Sequence, residues 1–177
     1  MKRILFLLIA LIVGGVSTLF AQSLIGKWNV MLSAETEEDI PVSITMTFAS
    51  NNSATINMAF SQDLEEVGMF SCSISYKGTY NYNAPNCKLN FDSKTPNIDF
   101  DIQYNEAGKA LIASDPNMKE EISNALREGL EEVLKQDGEE LCSTFKDRAY
   151  VVKNLTANSF DLVAKKILHF VRVKTTK

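Results

Sequence analysis

The chain is poor in the residues that most chemistry needs. It carries one histidine, one tryptophan and three cysteines among 177 residues. A single imidazole leaves a zinc cluster nothing to assemble around, and none of the cysteine spacings has the form of a zinc site. No serine or aspartate is tied to His169 by a motif, so no nucleophilic triad is legible. His169 faces either a cavity or solvent, and a surface or satisfied histidine is the simpler reading. A calcium loop, with clustered oxygen ligands around a glycine turn, is lacking from the sequence. Asp99 and Asp101 share a face, but it lies opposite four apolar residues and reads as a solvated outer wall. The expectation is a protein that is not an enzyme and uses no metal or cofactor.

Long apolar runs are equally scarce. The one that exists, Ile4 to Val13, follows Lys2 and Arg3 and precedes a small, polar stretch ending at Ala21-Gln22. That is the pattern of a secretory signal, and it is shorter than the roughly 20 residues of a membrane-spanning helix. The expected organisation is a signal peptide over residues 1–21 and a single domain over residues 22–177, exported to the periplasm or the extracellular space. No second long apolar segment follows, which predicts no membrane span after cleavage.

Charge of positive sign is in deficit. Eighteen Lys and Arg stand against 22 Asp and Glu, a net charge of −4. Loss of Lys2 and Arg3 with the signal makes the balance more negative. This argues against a nucleic-acid partner and equally disfavours adsorption to anionic lipid. The cysteines, Cys72, Cys87 and Cys142, allow at most one disulfide. Cys72 with Cys87 is the candidate pair in an oxidising compartment; three small buried hydrophobes is the other reading.

What the chain has in abundance is alternation. Val42, Ile44, Met46 and Phe48 alternate with polar residues, as do Ala54, Ile56, Met58 and Phe60, and Ser50-Asn51-Asn52-Ser53 between them has turn composition. A period of two marks strands with one buried face, here joined as a hairpin. Phe70, Cys72, Ile74 and Tyr76 share a face that Gly78, Tyr80 and Tyr82 continue. After Ala84-Pro85-Asn86 come Cys87, Leu89 and Phe91, then Ile98, Phe100, Ile102 and Tyr104. Six or seven short strands precede residue 105, and the spacing predicts a meander closing into a barrel. The acidic run Glu35-Thr36-Glu37-Glu38-Asp39 reads as the solvated loop between the first two strands.

One segment departs from alternation. Asp115-Pro116 opens a predicted helix over about residues 116–135, with Met118, Ile122, Ala125, Leu126, Gly129, Leu130, Val133 and Leu134 at helical steps. Lys135 lies near its end and Asp137-Gly138 supplies the stop. Gly129 is expected to let the helix approach a sheet closely. The apolar stripe either caps one barrel end, which is preferred, or packs outside the sheet or on a partner. Strands resume over Ser143–Lys153, Phe160–Ala164 and Ile167–Lys174.

The segment Gly26-Lys27-Trp28 at the first strand of this barrel-like chain resembles the opening motif of lipocalins and of lipocalin-like domains in exported Bacteroidetes proteins. The signal ending in Phe20-Ala21-Gln22 is similar to that group's, and Leu155 to Leu162 matches the cadence of the family's closing hairpin. The resemblance implies an antiparallel, lipocalin-like β-barrel of about 8 to 10 strands, here with one inserted amphipathic helix. It also implies that Trp28 closes one barrel end beneath Arg172, with Gly26 beside it. Lipocalins place their helix after the eighth strand, whereas about three strands follow it here.

The inward face also carries tyrosines, whose hydroxyls sit where an all-apolar core would prefer phenylalanine. Tyr76, Tyr80, Tyr82 and Tyr104 are therefore the candidate ligand contacts. The expected function is to hold a small, largely apolar molecule in the barrel; the alternative is a non-enzymatic interaction or envelope-accessory protein whose barrel is filled by side chains. No protein partner is indicated.

Overall fold

The computed structural model describes residues 23–32, 40–146 and 149–174, with the backbone alone at 132–141 and 144. The expected signal segment and the acidic run Glu35 to Asp39 lie outside the described residues, as do the side chains of Val133, Leu134, Lys135 and Asp137. The elements are β1 (Gly26–Leu32), β2 (Val42–Phe48), β3 (Ser53–Leu64), β4 (Gly68–Asn83), β5 (Asn86–Phe91), β6 (Asn97–Tyr104), α1 (Glu106–Ser114), α2 (Met118–Lys146), β7 (Ala149–Lys153), β8 (Ser159–Val163) and β9 (Ile167–Arg172).

The alternating stretches become strands whose apolar sides turn together. In β2 and β3 the register pairs Phe48 with Ala54, Met46 with Ile56 and Ile44 with Met58. The turn between them is closed by Ala49 N–H donating to Ser53 O at 2.9 Å, with Asn51 Oδ1 accepting from Ser53 N–H at 3.1 Å. An asparagine side chain that bonds the backbone two residues on favours such a turn.

All strand pairs are antiparallel, and eight strands close into a barrel in the order β1-β2-β3-β4-β5-β7-β8-β9 and back to β1. The ninth, β6, lies outside this ring. Strand β4 is 16 residues long and divides its free edge: Ser75 and the residues before it pair with β6, while Gly78 to Asn83 pair with β5. A Cβ at Gly78 would sit 2.1 Å from Asn90 O, so only glycine fits where β5 comes against β4. The long hairpin β3–β4, edged by β6, thus rises past the ring as a three-stranded flange.

Two helices stand where one was expected. Asn105 caps α1, its Oδ1 accepting from Gly108 N–H at 2.8 Å, and the chain breaks at Asp115-Pro116 before α2 begins. Helix α2 passes through Asp137-Gly138 and runs on to Lys146. An interior glycine costs only about 1 kcal/mol, and docking of the last turns outweighs it. There Cys142 and Phe145 are buried, and the Phe145 ring meets Phe91 at 5.4 Å and Tyr150 at 5.7 Å. The strand expected from Ser143 accordingly starts only at Ala149.

Further up, Leu126 and Leu130 pack on the core, and the Arg127 guanidinium lies 5.3 Å from the centre of the Phe100 ring on β6. The helix therefore descends from the flange to β5 and β7, across the place where β4 changes partner. Gly129 is exposed with open space around it, so it makes no close approach to a sheet.

Candidate functional site

The ring closes through two residue pairs, Trp28 with Arg172 and Asn29 with Val171, supplemented by Val173 N–H donating to Lys27 O at 2.9 Å. Trp28 is fully buried and its indole N–H donates to Leu24 O at 2.6 Å. The Arg172 guanidinium covers its ring at 4.2 Å from the centre, and Phe160 meets it edge-on at 4.9 Å. Gly26 lies beneath the same guanidinium: its φ is +136°, and a Cβ there would fall 2.6 Å from Arg172 Nη1. Glycine meets both demands, the positive φ and the missing volume. The three residues named from the opening motif and the last strand thus form one plug. Arg172 Nε is buried and finds no hydrogen-bond partner among the described residues, while the guanidinium rests on the aromatic face.

Above the plug the inward side chains become progressively exposed along β9, β1 and β2. Phe170, Trp28, Phe48 and Met46 are fully buried, Ile44 and Val30 nearly so, and Val42 and Leu168 only partly. Leu32 at the lip is 37% exposed. Here β1 and β9 have parted, and an open cleft of about 890 Å³ runs along the seam, lined by the inward Val30, Leu32, Val42 and Leu168, by the outward Asn29, Met31, Ile167, His169 and Val171, and by Ile40 and Lys166. A volume of this size suits a small molecule, and the lining mixes aliphatic side chains with the polar Asn29, Lys166 and His169.

The four tyrosines do not gather around it. Tyr76 is fully buried, and Tyr80 donates its hydroxyl to Ala49 O at 3.0 Å while its ring meets Phe48 edge-on. Burial first, and the Cys87 thiol second, push the Tyr80 and Tyr82 phenols above their ordinary range, so both stay protonated donors. Tyr104 is on the flange, opposite Gly68 in register. Gly68 and Tyr80 are twelve residues apart on β4, a rise of ~40 Å, so one ligand cannot touch both ends of the set. A shared strand face looked like proximity in the sequence; strand length turns it into separation.

His169 is exposed on the outer side of β9, and its Nδ1 lies 2.6 Å from Asp161 Oδ1. The second oxygen, Asp161 Oδ2, accepts from Asn154 Nδ2 at 2.6 Å. The pairing of His169 with Asp161 was legible once β8 and β9 were aligned as a hairpin, because the two residues stand opposite each other in register. The cysteines are free and buried. Cys87 pairs with Tyr82 on β4, ten residues past Cys72 and thus ~33 Å along the strand, too far for the bridge considered from the sequence.

The fold and this site define an eight-stranded antiparallel closed β-barrel, consistent with a lipocalin-like fold, plugged at one end and open along one seam. No protein-family model matches the chain, and no curated protein matches it.

Proposed function

We propose that this is an exported, lipocalin-like, non-enzymatic binding protein that takes a small, largely apolar molecule in the cleft between β1 and β9. The observation that carries this reading is the gradient of burial: the plug end is filled, while the inward residues Val42, Leu168 and Leu32 are left partly uncovered around a cleft of about 890 Å³. Apolar surface held open to water is costly unless something covers it. The single imidazole is tied to Asp161 on an open wall, which supports binding rather than chemistry. The arginine-covered tryptophan beside a Gly-x-Trp opening supports the lipocalin-like assignment.

A test uses N-phenyl-1-naphthylamine, a neutral apolar dye that brightens on leaving water. Saturable binding at one dye per chain is expected, together with its loss in Leu168→Trp, which fills the cleft. No saturable binding, or binding unchanged by Leu168→Trp, refutes the reading. The second reading, an interaction protein with a solid barrel, draws support from the plug end, where Trp28, Phe48, Phe160 and Phe170 leave no ring exposed.

A further inference from the structure

Exposed apolar side chains are not scattered over this protein. Among the described residues, eight large hydrophobic side chains are exposed, and six of them, Ile25, Met31, Leu32, Ile167, Val171 and Val173, belong to β1, β9 and their immediate flanks. All but Leu32 fall on the outward side of the wall by strand alternation, with Ile167 67%, Met31 59% and Val171 51% exposed. The register adds Val163 and Val151 beside Ile167, extending the apolar row across β8 and β7.

Charge follows the same line. Residues 162–177 contain Lys165, Lys166, Arg172, Lys174 and Lys177 and no acidic residue. Lys165, Lys166 and Lys174 are exposed around β9, as are Lys27 on β1 and Lys153 on β7. Asp161 is the carboxylate that β8 adds to this wall, and it is already bonded to His169 and Asn154. On the other side of Met31 the outward row continues through Ser43, Ala59 and Ser73 to Asp99, and Asp99 and Asp101 share a groove of about 580 Å³ with Met31, so these carboxylates lie on the β1 side of the wall and not beside β9. The net negative charge of the chain argues against adsorption to anionic lipid as a whole, but attraction at short range is set by the face presented and not by the sum.

We propose that the outer wall formed by β9 and β1 docks on an anionic lipid bilayer. Aliphatic side chains rimmed by lysines suit such a surface: the lysines are drawn to the headgroups and the apolar tips enter the interfacial layer. Protein interfaces enrich arginine and exposed aromatic residues and shed lysine, the opposite of what this wall carries. A second copy of the chain would set lysines against lysines. The docking stands on its own exposure and charge, although Met31, Ile167 and Val171 also border the cleft, which would then open toward the bilayer.

The experiment is co-sedimentation of the protein recovered after export with vesicles of phosphatidylcholine alone or with about 30% phosphatidylglycerol. Binding is expected only to the anionic vesicles, falling at least ten-fold between about 0.05 and about 0.5 M salt as the Debye length shortens. The pair Lys165→Glu and Lys166→Glu should weaken it at least ten-fold, Ile167→Ser with Val171→Ser should weaken it as well, and Asp99→Asn with Asp101→Asn on β6, which removes negative charge, should not. Circular dichroism establishes that each variant is folded; the lysine pair is exposed and keeps the test valid if the apolar pair is not. Equal binding to both vesicles, no binding to either, or full binding by the lysine variant overturns the proposal. Retention on immobilised polyglutamate without vesicle binding overturns it in favour of an acidic protein partner.

Discussion

Replacing Gly26 by alanine tests the plug without removing its reporter. Two separable costs arise. The first is backbone strain, since a φ of +136° is one that residues with a Cβ rarely adopt, and such conformations cost about 1–3 kcal/mol. The second is steric. The new Cβ would lie 2.6 Å from Arg172 Nη1, so the guanidinium must shift by about 1 Å to regain van der Waals distance. That shift carries it off the Trp28 ring, which it now covers at 4.2 Å, and forfeits part of a cation–π contact of about 0.5–2 kcal/mol. Together they amount to about 2–4 kcal/mol, or a urea midpoint lower by roughly 1–2 M at a typical slope. Trp28 is the only tryptophan and is fully buried, so its blue-shifted emission follows unfolding directly. In an Arg172→Ala background the steric part disappears, and the same substitution should cost only the strain. A Gly26→Ala protein within about 0.5 kcal/mol of the parent refutes the whole account, and equal costs in both backgrounds refute the guanidinium part.

Phe145→Ala should destabilise by about 3–5 kcal/mol in thermal or urea unfolding, since it empties a buried contact with Phe91 and Tyr150. Gly129→Ala, by contrast, meets open space and should be neutral or stabilising by up to about 1 kcal/mol; a loss would place that helix face against something. The Asp161 carboxyl is held below its ordinary value by the His169 hydrogen bond and then by that of Asn154. A depressed carboxyl stabilises the fold above its unfolded-state value, and the contribution is lost as pH falls through the folded one, so Asp161→Asn should flatten the decline of stability below about pH 4. Urea midpoints across a pH series check this, and an unchanged acid limb contradicts it. Burial pushes the Cys87 thiol up to about 12, so its labelling by an aromatic disulfide at pH 8 should proceed no faster than global unfolding. Rapid labelling of Cys87 in the native protein would show that the β4–β5 edge opens locally.

Strand pairing was legible in the sequence wherever a period of two met a turn signal, as at Val42–Phe48 and Ser53–Leu64 around Asn51-Asn52. The end of α2 was not, because a glycine near a helix end is a local signal and the burial of Cys142 and Phe145 is a tertiary one that outweighs it. Helix α1 hid for a different reason. It is only nine residues long, too short for its apolar period to repeat, and Asn105 as its cap was its strong mark. At the site, Gly26, Trp28 and Arg172 were named from the resemblance of the opening motif to lipocalins, and ring closure is what brings the first strand and the last together. The cleft went unseen, since it arises from where two strands separate, and alternation continues through β1 and β9 whether they pair or not. The basic apolar wall was masked by averaging: a net charge has no direction.

The division of β4 between two partners has a consequence for how this molecule tolerates change. The ring's strand register passes through Gly78–Asn83 of β4 and is fixed there by β5. The flange and the first turns of α2 lie beyond that level, and only the last turns of α2 meet the ring, through Phe145 against Phe91 and Tyr150. Lengthening or shortening α2 by a turn would therefore alter how far it covers the flange without slipping any strand against its neighbour, and the inward residues of the ring would keep their facing. A strand in a barrel has no such latitude, because one residue gained or lost reverses every side chain beyond it. Change in length is thus tolerated best in a helix, the one type of element here whose length is independent of the barrel's closure.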